Sequence, residues 1–156
     1  MSILKVDTIN EKTSGNGVYI PGHVVQVVQT TGTGASSVNS TSVVATGISV
    51  NITPSSTSSR IHLTFSGRTY VNTAAREHNM ILKRGSTTIR GGYTLYSTTA
   101  AVAGVTTLTI IDSPSTTSQV TYSLSHNVSN ADTTAIINPN GAADGLYTLT
   151  AMEIAQ

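Results

Sequence analysis

The chain has 156 residues, a formal net charge of +1 and no cysteine. This length fits one domain with a single core, and the lack of cysteine excludes disulfides and thiolate metal sites. The near-neutral charge excludes the basic surface that is typical of proteins that bind nucleic acid or acidic membranes.

Serine and threonine together supply 47 residues, whereas only 10% of the chain is charged and 4% is aromatic. Threonine and valine favour strands, because their branched Cβ atoms fit a pleated surface and lose conformational freedom in a helix. The composition therefore predicts an all-β fold. With few charged side chains, exposed strand edges aggregate unless they are covered, so the composition also favours an assembled subunit over a free monomer.

The first 22 residues predict an N-terminal attachment arm, which precedes a β-sandwich domain over residues 23–156. Two short apolar stretches are separated by the sequence TSGNG at 13–17 and closed by Pro21-Gly22. Each is too short to fold alone, and such pieces usually pair with another subunit or a larger particle. The alternative is a frayed terminus with one strand docked on its own domain. The predicted attachment residues are Ile3, Leu4, Val6, Ile9, Val18, Tyr19 and Ile20.

Strand patterns recur along the rest of the chain at the spacing of a sandwich or jelly roll. Gly47 predicts a bulge within its strand, and Gly85-Ser86 predicts the turn of a hairpin. The predicted strands are Val24–Gln29, Val43–Ile52, Arg60–Tyr70, Asn79–Arg84, Thr87–Arg90, Val105–Ile111, Gln119–Asn127, Ala135–Ile137 and Leu146–Ile154.

Two segments share the same order of features, ITPSSTSSRIHLTFS from Ile52 and IDSPSTTSQVTYSLS from Ile111. In each, a strand stops near a proline, which cannot donate to a β-ladder, and a loop rich in Ser and Thr follows. A strand with three alternating large apolar residues then begins. The pattern predicts either two equivalent corners of a two-sheet sandwich or convergence on common turn chemistry.

The last predicted strand carries apolar side chains on both faces, with Tyr147 and Leu149 on one and Met152 and Ile154 on the other. A sandwich strand usually buries one face. Burial of both faces predicts a strand that is central in its sheet, with its own core behind it and a partner subunit in front. These four residues are therefore the predicted subunit interface. The alternative is a bulge near Ala151 that switches the two faces.

No pattern in the sequence predicts catalysis, so we expect that the chain is not an enzyme. It has no Gly-x-Ser-x-Gly nucleophile elbow, and its carboxylates are dispersed, several of them at turns where Asp caps backbone amides. The four histidines lack metal-ligand spacing, and no metal or cofactor is predicted. His62 lies opposite the apolar face of its strand, which favours a solvent- or interface-facing side chain. No signal peptide or membrane-spanning segment is predicted.

The segments SILKVDTINEKTSGNGVYIPGHVVQVV, ITPSSTSSRIHLTFSG, DSPSTTSQVTYSLS and LYTLTAMEIAQ resemble small tail-fibre-like virion proteins of tailed bacteriophages, particularly marine and cyanobacterial ones. The resemblance covers nearly the whole chain in order. It implies a jelly-roll β-sandwich, similar to the trimeric TNF- and C1q-like modules, in which the final strand lies in the inner sheet near the three-fold axis. It further implies a homotrimer that serves as a short fibre, spike or capsid decoration. Its partners are then other virion proteins, and its location is the virion, after synthesis in the host cytoplasm.

A glycan-binding module for receptor recognition is the alternative function. The segment GGYTLY, with Tyr93 and Tyr96, and the loop Tyr70–Asn79 offer aromatic faces and polar groups to a sugar. The polar groups in and beside this loop include Arg68, Arg76 and Glu77. Lectin sites usually expose an aromatic cluster, whereas this chain has no Trp and one Phe. Tyr93 and Tyr96 are the predicted contacts with a host surface glycan.

Overall fold

The structure, a computed structural model, describes residues 20–156, apart from the side chains of Tyr93, Thr94 and Asp144. This part of the chain forms ten strands and one short 3-10 helix at Gly141–Asp144. The strands are β1 (Val24–Gly32), β2 (Ser36–Val38), β3 (Val44–Ile52), β4 (Arg60–Val71), β5 (Arg76–Arg84), β6 (Thr87–Ser97), β7 (Val102–Asp112), β8 (Val120–Val128), β9 (Ala135–Ile137) and β10 (Tyr147–Ile154).

The strands form two antiparallel sheets that pack face to face, which confirms the predicted all-β sandwich. In the first sheet, β1, β10, β4 and β7 are neighbours in that order, and the short β9 and β2 continue from the far end of β4. The second sheet has the order β3-β8-β5-β6. Without the two short strands, the eight long strands pair first with last and second with seventh. This order is a jelly roll, the eight-stranded double-sheet arrangement found in viral capsid and lectin domains.

The sequence prediction located each of the long strands, because Val, Ile and Leu alternate with Thr and Ser along them. The predicted bulge in β3 is confirmed: Gly47 has a φ of 81°, and the pairing of β3 with β8 shifts register between Ala45 and Ser49. The hairpin at Gly85-Ser86 is also present, although its second strand runs seven residues further than predicted, to Ser97. The three-residue strand β2 was not predicted.

The core lies between the two sheets and has two apolar clusters. The larger cluster includes Phe65, Leu82 and Leu124, which are fully buried. The smaller one surrounds Val71 and Val128, at the end of the sandwich opposite the loops that contain Pro54 and Pro114. Large side chains from both sheets thus interdigitate, which stabilises the fold without disulfides.

The hydrogen bonds described between the N-terminal segment and the body begin with Gly22. Its N–H donates to the carbonyl of Ala155 at 2.8 Å, and the N–H of Ala155 donates to the carbonyl of His23 at 3.0 Å. Ile20, just before this contact, is exposed. The other six predicted attachment residues lie outside the described residues. Within residues 20–156, no helix is long and apolar enough to cross a membrane.

Candidate subunit interface

The outward face of the first sheet carries an apolar band at the end where the two proline corners lie. Val27, Met152, His62 and Ile111 are directly paired across β1, β10, β4 and β7. Val27 is 55% exposed and Ile111 is 52% exposed. Val24 and Ile154 are paired in the next row. We call Val24, Val27, Ile111, Met152 and Ile154 the apolar band; His62 lies between Met152 and Ile111, and Arg60 is paired with Ile154 at its edge. Neighbouring exposed apolar side chains of this kind are typical of interaction surfaces.

Hydroxyl groups cover the middle of the same face. Gln29, Thr150, Thr64 and Thr109 form one row across the sheet. The Nε2 of Gln29 donates to the Oγ1 of Thr150 at 2.9 Å, and the Oγ1 of Thr109 lies 2.9 Å from the Nε2 of His62. Among the described outward positions of these four strands, none carries a carboxylate. This face is therefore apolar and hydroxyl-rich apart from two guanidinium groups on β4, Arg60 beside Ile154 and Arg68 towards the other end of the strand.

The outward face of the second sheet has a different character. Asn51, Thr121, Ser123 and Asn127 point outward from β3 and β8. Thr121 donates to the side chain of Asn51 at 2.7 Å. This second face is polar and suits solvent. The contrast between the two faces marks the first sheet as the candidate interface.

The final strand is central in its sheet, as predicted, because β10 lies between β1 and β4. The pairing of β10 with β4 runs from Thr148 to Ile154 without a shift, so there is no bulge at Ala151. Leu149 is nevertheless fully buried in the core of its own subunit. Tyr147 packs against the same core. These two side chains point away from the outward face, and only Met152 and Ile154 of the four predicted interface residues lie on it.

The first proline corner is fixed by a buried glutamate. Glu153 lies on the core-facing side of β10 and is fully buried. Its carboxylate accepts hydrogen bonds from the Ser55 N–H at 2.7 Å, from the hydroxyls of Ser55 and Ser59 at 2.6 Å each, and from Gln26. Burial raises the pKa of Glu153, but the hydrogen bonds from Ser55, Ser59 and Gln26 outweigh that effect and lower its pKa below the usual value.

The second corner is fixed in the same way by Asp112. Its carboxylate accepts hydrogen bonds from Arg84 at 2.9 Å and from the hydroxyl of Tyr122 at 2.7 Å. Burial, then the hydrogen bond with Asp112, raises the pKa of Tyr122. The pairing of Ile52 with Val120 and of Ile61 with Asp112 places the two corners side by side. Both corners thus connect one sheet with the other, the first from β3 to β4 and the second from β7 to β8.

Two histidines that are far apart in sequence meet inside the sandwich. The Nε2 of His78 on β5 lies 3.1 Å from the Nδ1 of His126 on β8, and both residues are fully buried. Burial, together with the neighbouring His126, lowers the pKa of His78 to about 3. Burial lowers the pKa of His126 to about 4. Both rings are therefore neutral at pH 7, and the N–H of one ring donates a hydrogen bond to the unprotonated nitrogen of the other.

His62, in contrast, lies on the outward face, as the strand pattern predicted. Within residues 20–156, no group of three or more His, Asp or Glu side chains is arranged to hold a metal ion. Tyr96 is 52% exposed at the edge strand β6, opposite Glu77. The position of the Tyr93 side chain lies outside what the structure describes, so the predicted glycan contact at these two tyrosines stays a prediction.

A groove lies on the outward face of the first sheet, at the end opposite the apolar band. It has a volume of about 430 Å³. The sequence indicated Arg68 and Tyr70 as candidate sugar contacts but not the groove itself, because its other residues come from β7, β9 and the loop after β9. It is lined by Arg68, Tyr70, Ala103, Ile136, Pro139 and Asn140.

The fold and its two unlike faces define a jelly-roll β-sandwich with one face suited to association. No protein-family model and no curated protein matches this chain. Among solved structures, the chain is similar to one described as "Structure of infectious bursal disease virus Gx strain", with a TM-score of 0.42 and 15% sequence identity. The match covers 84% of this chain and 37% of that one. At this TM-score and identity, the likeness carries no argument about function.

Proposed function

We propose that this protein is a non-enzymatic structural subunit of a tailed-bacteriophage virion, a short fibre, spike or capsid decoration that acts as a homotrimer. The apolar band is the observation that carries the proposal. Exposed apolar surface of this kind is costly in water, and burying it contributes about 25 cal/mol per Å². A second copy of the chain is the occupant that we assign to it.

The chemistry of the face supports association between like subunits. The apolar band lies beside rows of threonine and serine hydroxyls, which can donate and accept hydrogen bonds across a symmetric contact. The described outward positions of the face carry no carboxylate, and their charges are those of Arg60, at the edge of the apolar band, and Arg68, at the far end. A contact centred on the apolar band therefore has to leave Arg60 at its rim, where its charge stays hydrated. The resemblance to trimeric TNF- and C1q-like modules supports an assembly of three subunits. In those modules the final strand, which corresponds to β10, lies in the inner sheet near the three-fold axis.

The virion assignment is supported by the sequence resemblance and by the apolar stretches that precede the body. In this proposal the arm holds the trimer to another virion protein, and the sandwich supplies a stable body without disulfides. The role is mechanical, and the buried polar groups of the two corners serve the fold.

A pair of substitutions tests the interface. Met152→Glu places a charge in the apolar band, and Thr121→Glu places the same charge on the outward face of the second sheet. We expect the Met152→Glu protein to sediment as a folded monomer, because a buried unpaired carboxylate costs several kcal/mol. The Thr121→Glu protein remains a trimer. Retention of the trimer by Met152→Glu, with circular dichroism unchanged, would overturn the interface.

A further inference from the structure

We propose that the groove lined by Arg68 and Tyr70 binds a carbohydrate that carries a carboxylate, such as a uronic acid unit of a polysaccharide. This inference goes beyond the structural role proposed above and does not rest on it. A volume of about 430 Å³ lies within the range that is typical of sites for small ligands.

The floor of the groove is set by the sheet. Tyr70 is directly paired with Ala103 on one side and with Ile136 on the other, so the three side chains form one row. Arg68 lies on the same face two residues earlier along β4, beside Val105. An aromatic ring with small apolar neighbours is a surface on which the C–H face of a sugar can lie.

The wall of the groove is held rigidly by Asn138. Its N–H donates to the carbonyl of Arg68 at 2.8 Å, and its side-chain amide donates to the carbonyls of Thr33 at 2.7 Å and Gly141 at 2.9 Å. Asn138 has a φ of 54°, a left-handed conformation that asparagine tolerates better than most residues. These bonds place Pro139 and Asn140 beside Arg68, so the groove is formed before any ligand arrives, which lowers the entropic cost of binding.

The polar groups of the groove select the ligand. Arg68 is the one charged side chain among the six lining residues, and its guanidinium suits a carboxylate in bidentate geometry. Arg68 and Asn140 also have interactions within the protein. A guanidinium has five N–H donors, so it can keep an internal partner and still bind a carboxylate. The side-chain amide of Asn140 can both donate to and accept from sugar hydroxyls.

The position of the groove leaves it separate from the apolar band. His62, which lies between Met152 and Ile111 of the band, and Tyr70 in the groove are eight residues apart on one strand. This separation is roughly 26 Å at about 3.3 Å per residue. The test therefore uses the full-length protein in its own assembly state.

Calorimetric or NMR titration with methyl β-D-glucuronide, against methyl β-D-glucoside as the neutral match, tests the proposal. We expect the glucuronide to bind with a Kd of about 1 mM and the glucoside to bind at least about tenfold more weakly. Arg68→Gln should remove the preference for the carboxylate, and Arg68→Lys should retain part of it. Tyr70→Ala should lower the affinity for both sugars. Thr121→Ala, on the outward face of the second sheet, is the control and should change neither affinity.

Equal affinity for the two sugars would overturn the proposal, as would an Arg68→Gln protein that still prefers the glucuronide while its thermal melting is unchanged. Inorganic phosphate is the third probe. If phosphate alone binds as tightly as the glucuronide, the groove is a general anion site and the carbohydrate assignment is wrong. Failure of both sugars to bind would also contradict it, and a trimer that still forms would show that the subunit interface stands independently.

Discussion

The buried histidine pair makes the stability of this protein depend on pH in a defined window. His78 and His126 are neutral in the folded protein, with pKa values lowered to about 3 and about 4. The unfolded chain takes up their protons below about pH 6.5. A group with a lowered folded pKa of this kind binds more protons when unfolded, so the free energy of unfolding falls as pH drops from about 6.5 towards 4.

We predict that each histidine lowers the free energy of unfolding by up to about 1.4 kcal/mol for each pH unit of acidification across this window. The measurement is urea unfolding between pH 7.5 and 5. The double variant His78→Leu/His126→Leu should lose most of this dependence, because no histidine then has to stay neutral in the core. An unchanged slope in the double variant would contradict this explanation. Asp132 acts separately, since the hydrogen bond from Arg76 lowers its pKa to about 2 and its contribution is lost only in stronger acid.

The contact between the two histidines could not be predicted from the sequence. His78 and His126 lie 48 positions apart, and only the register of β5 against β8 brings them together. The burial of Glu153 on the final strand could not be predicted either. A glutamate on the same face as Leu149 argues against burial of that face, because an unpaired buried carboxylate is costly. The hydroxyls that satisfy it come from a corner almost 100 residues earlier, and the sequence does not indicate that contact.

At the level of elements, the corner that contains Ser55 and Ser59 depends on the carboxylate of Glu153. We predict that Glu153→Gln lowers the free energy of unfolding by about 2 kcal/mol, because charge-assisted hydrogen bonds are replaced by weaker ones and one side-chain N–H₂ faces donors. Amide hydrogen exchange at Ser55 should accelerate. Glu77→Gln on β5 changes the same charge outside this corner and is the control. Equal losses from both variants would show that the charge, and not the corner contact, is responsible.

The strands themselves were largely predictable, because alternation of Val, Ile and Leu with Thr and Ser is a local signal. The corners were predictable too, since Pro54 and Pro114 stop their strands. The three-residue β2 was not, because its pairing with β9 depends on a distant partner and not on a pattern of its own. The sequence indicated Arg68 and Tyr70 as candidate sugar contacts, but Asn140 and the other lining residues meet them only in the folded chain.

At the level of the whole molecule, the arm and the body are proposed to have separate tasks. We predict that deletion of residues 1–19, which leaves the contact of Gly22 with Ala155 intact, gives a folded trimer that does not join virus particles. Co-sedimentation with particles is the measurement, and full-length protein is the control. A deleted protein that still co-sediments would contradict the attachment role, and one that unfolds would show that the segment belongs to the body.

The two faces of the sandwich give the molecule a polarity that composition alone does not show. The chain has few charged residues on either sheet, yet only the first sheet presents an apolar band. In the homotrimer that we propose, a defined contact between copies would cover the most apolar surface and so protect a low-charge β-protein from unspecific aggregation.

The mass of the purified full-length protein in solution, measured by light scattering, is the most direct test of the proposed homotrimer. We expect about three times the 16.1 kDa chain mass, independent of dilution through the micromolar range. A monomer mass at all concentrations would contradict it, because the apolar band would then be exposed to solvent and the homotrimeric virion subunit would lose its interface.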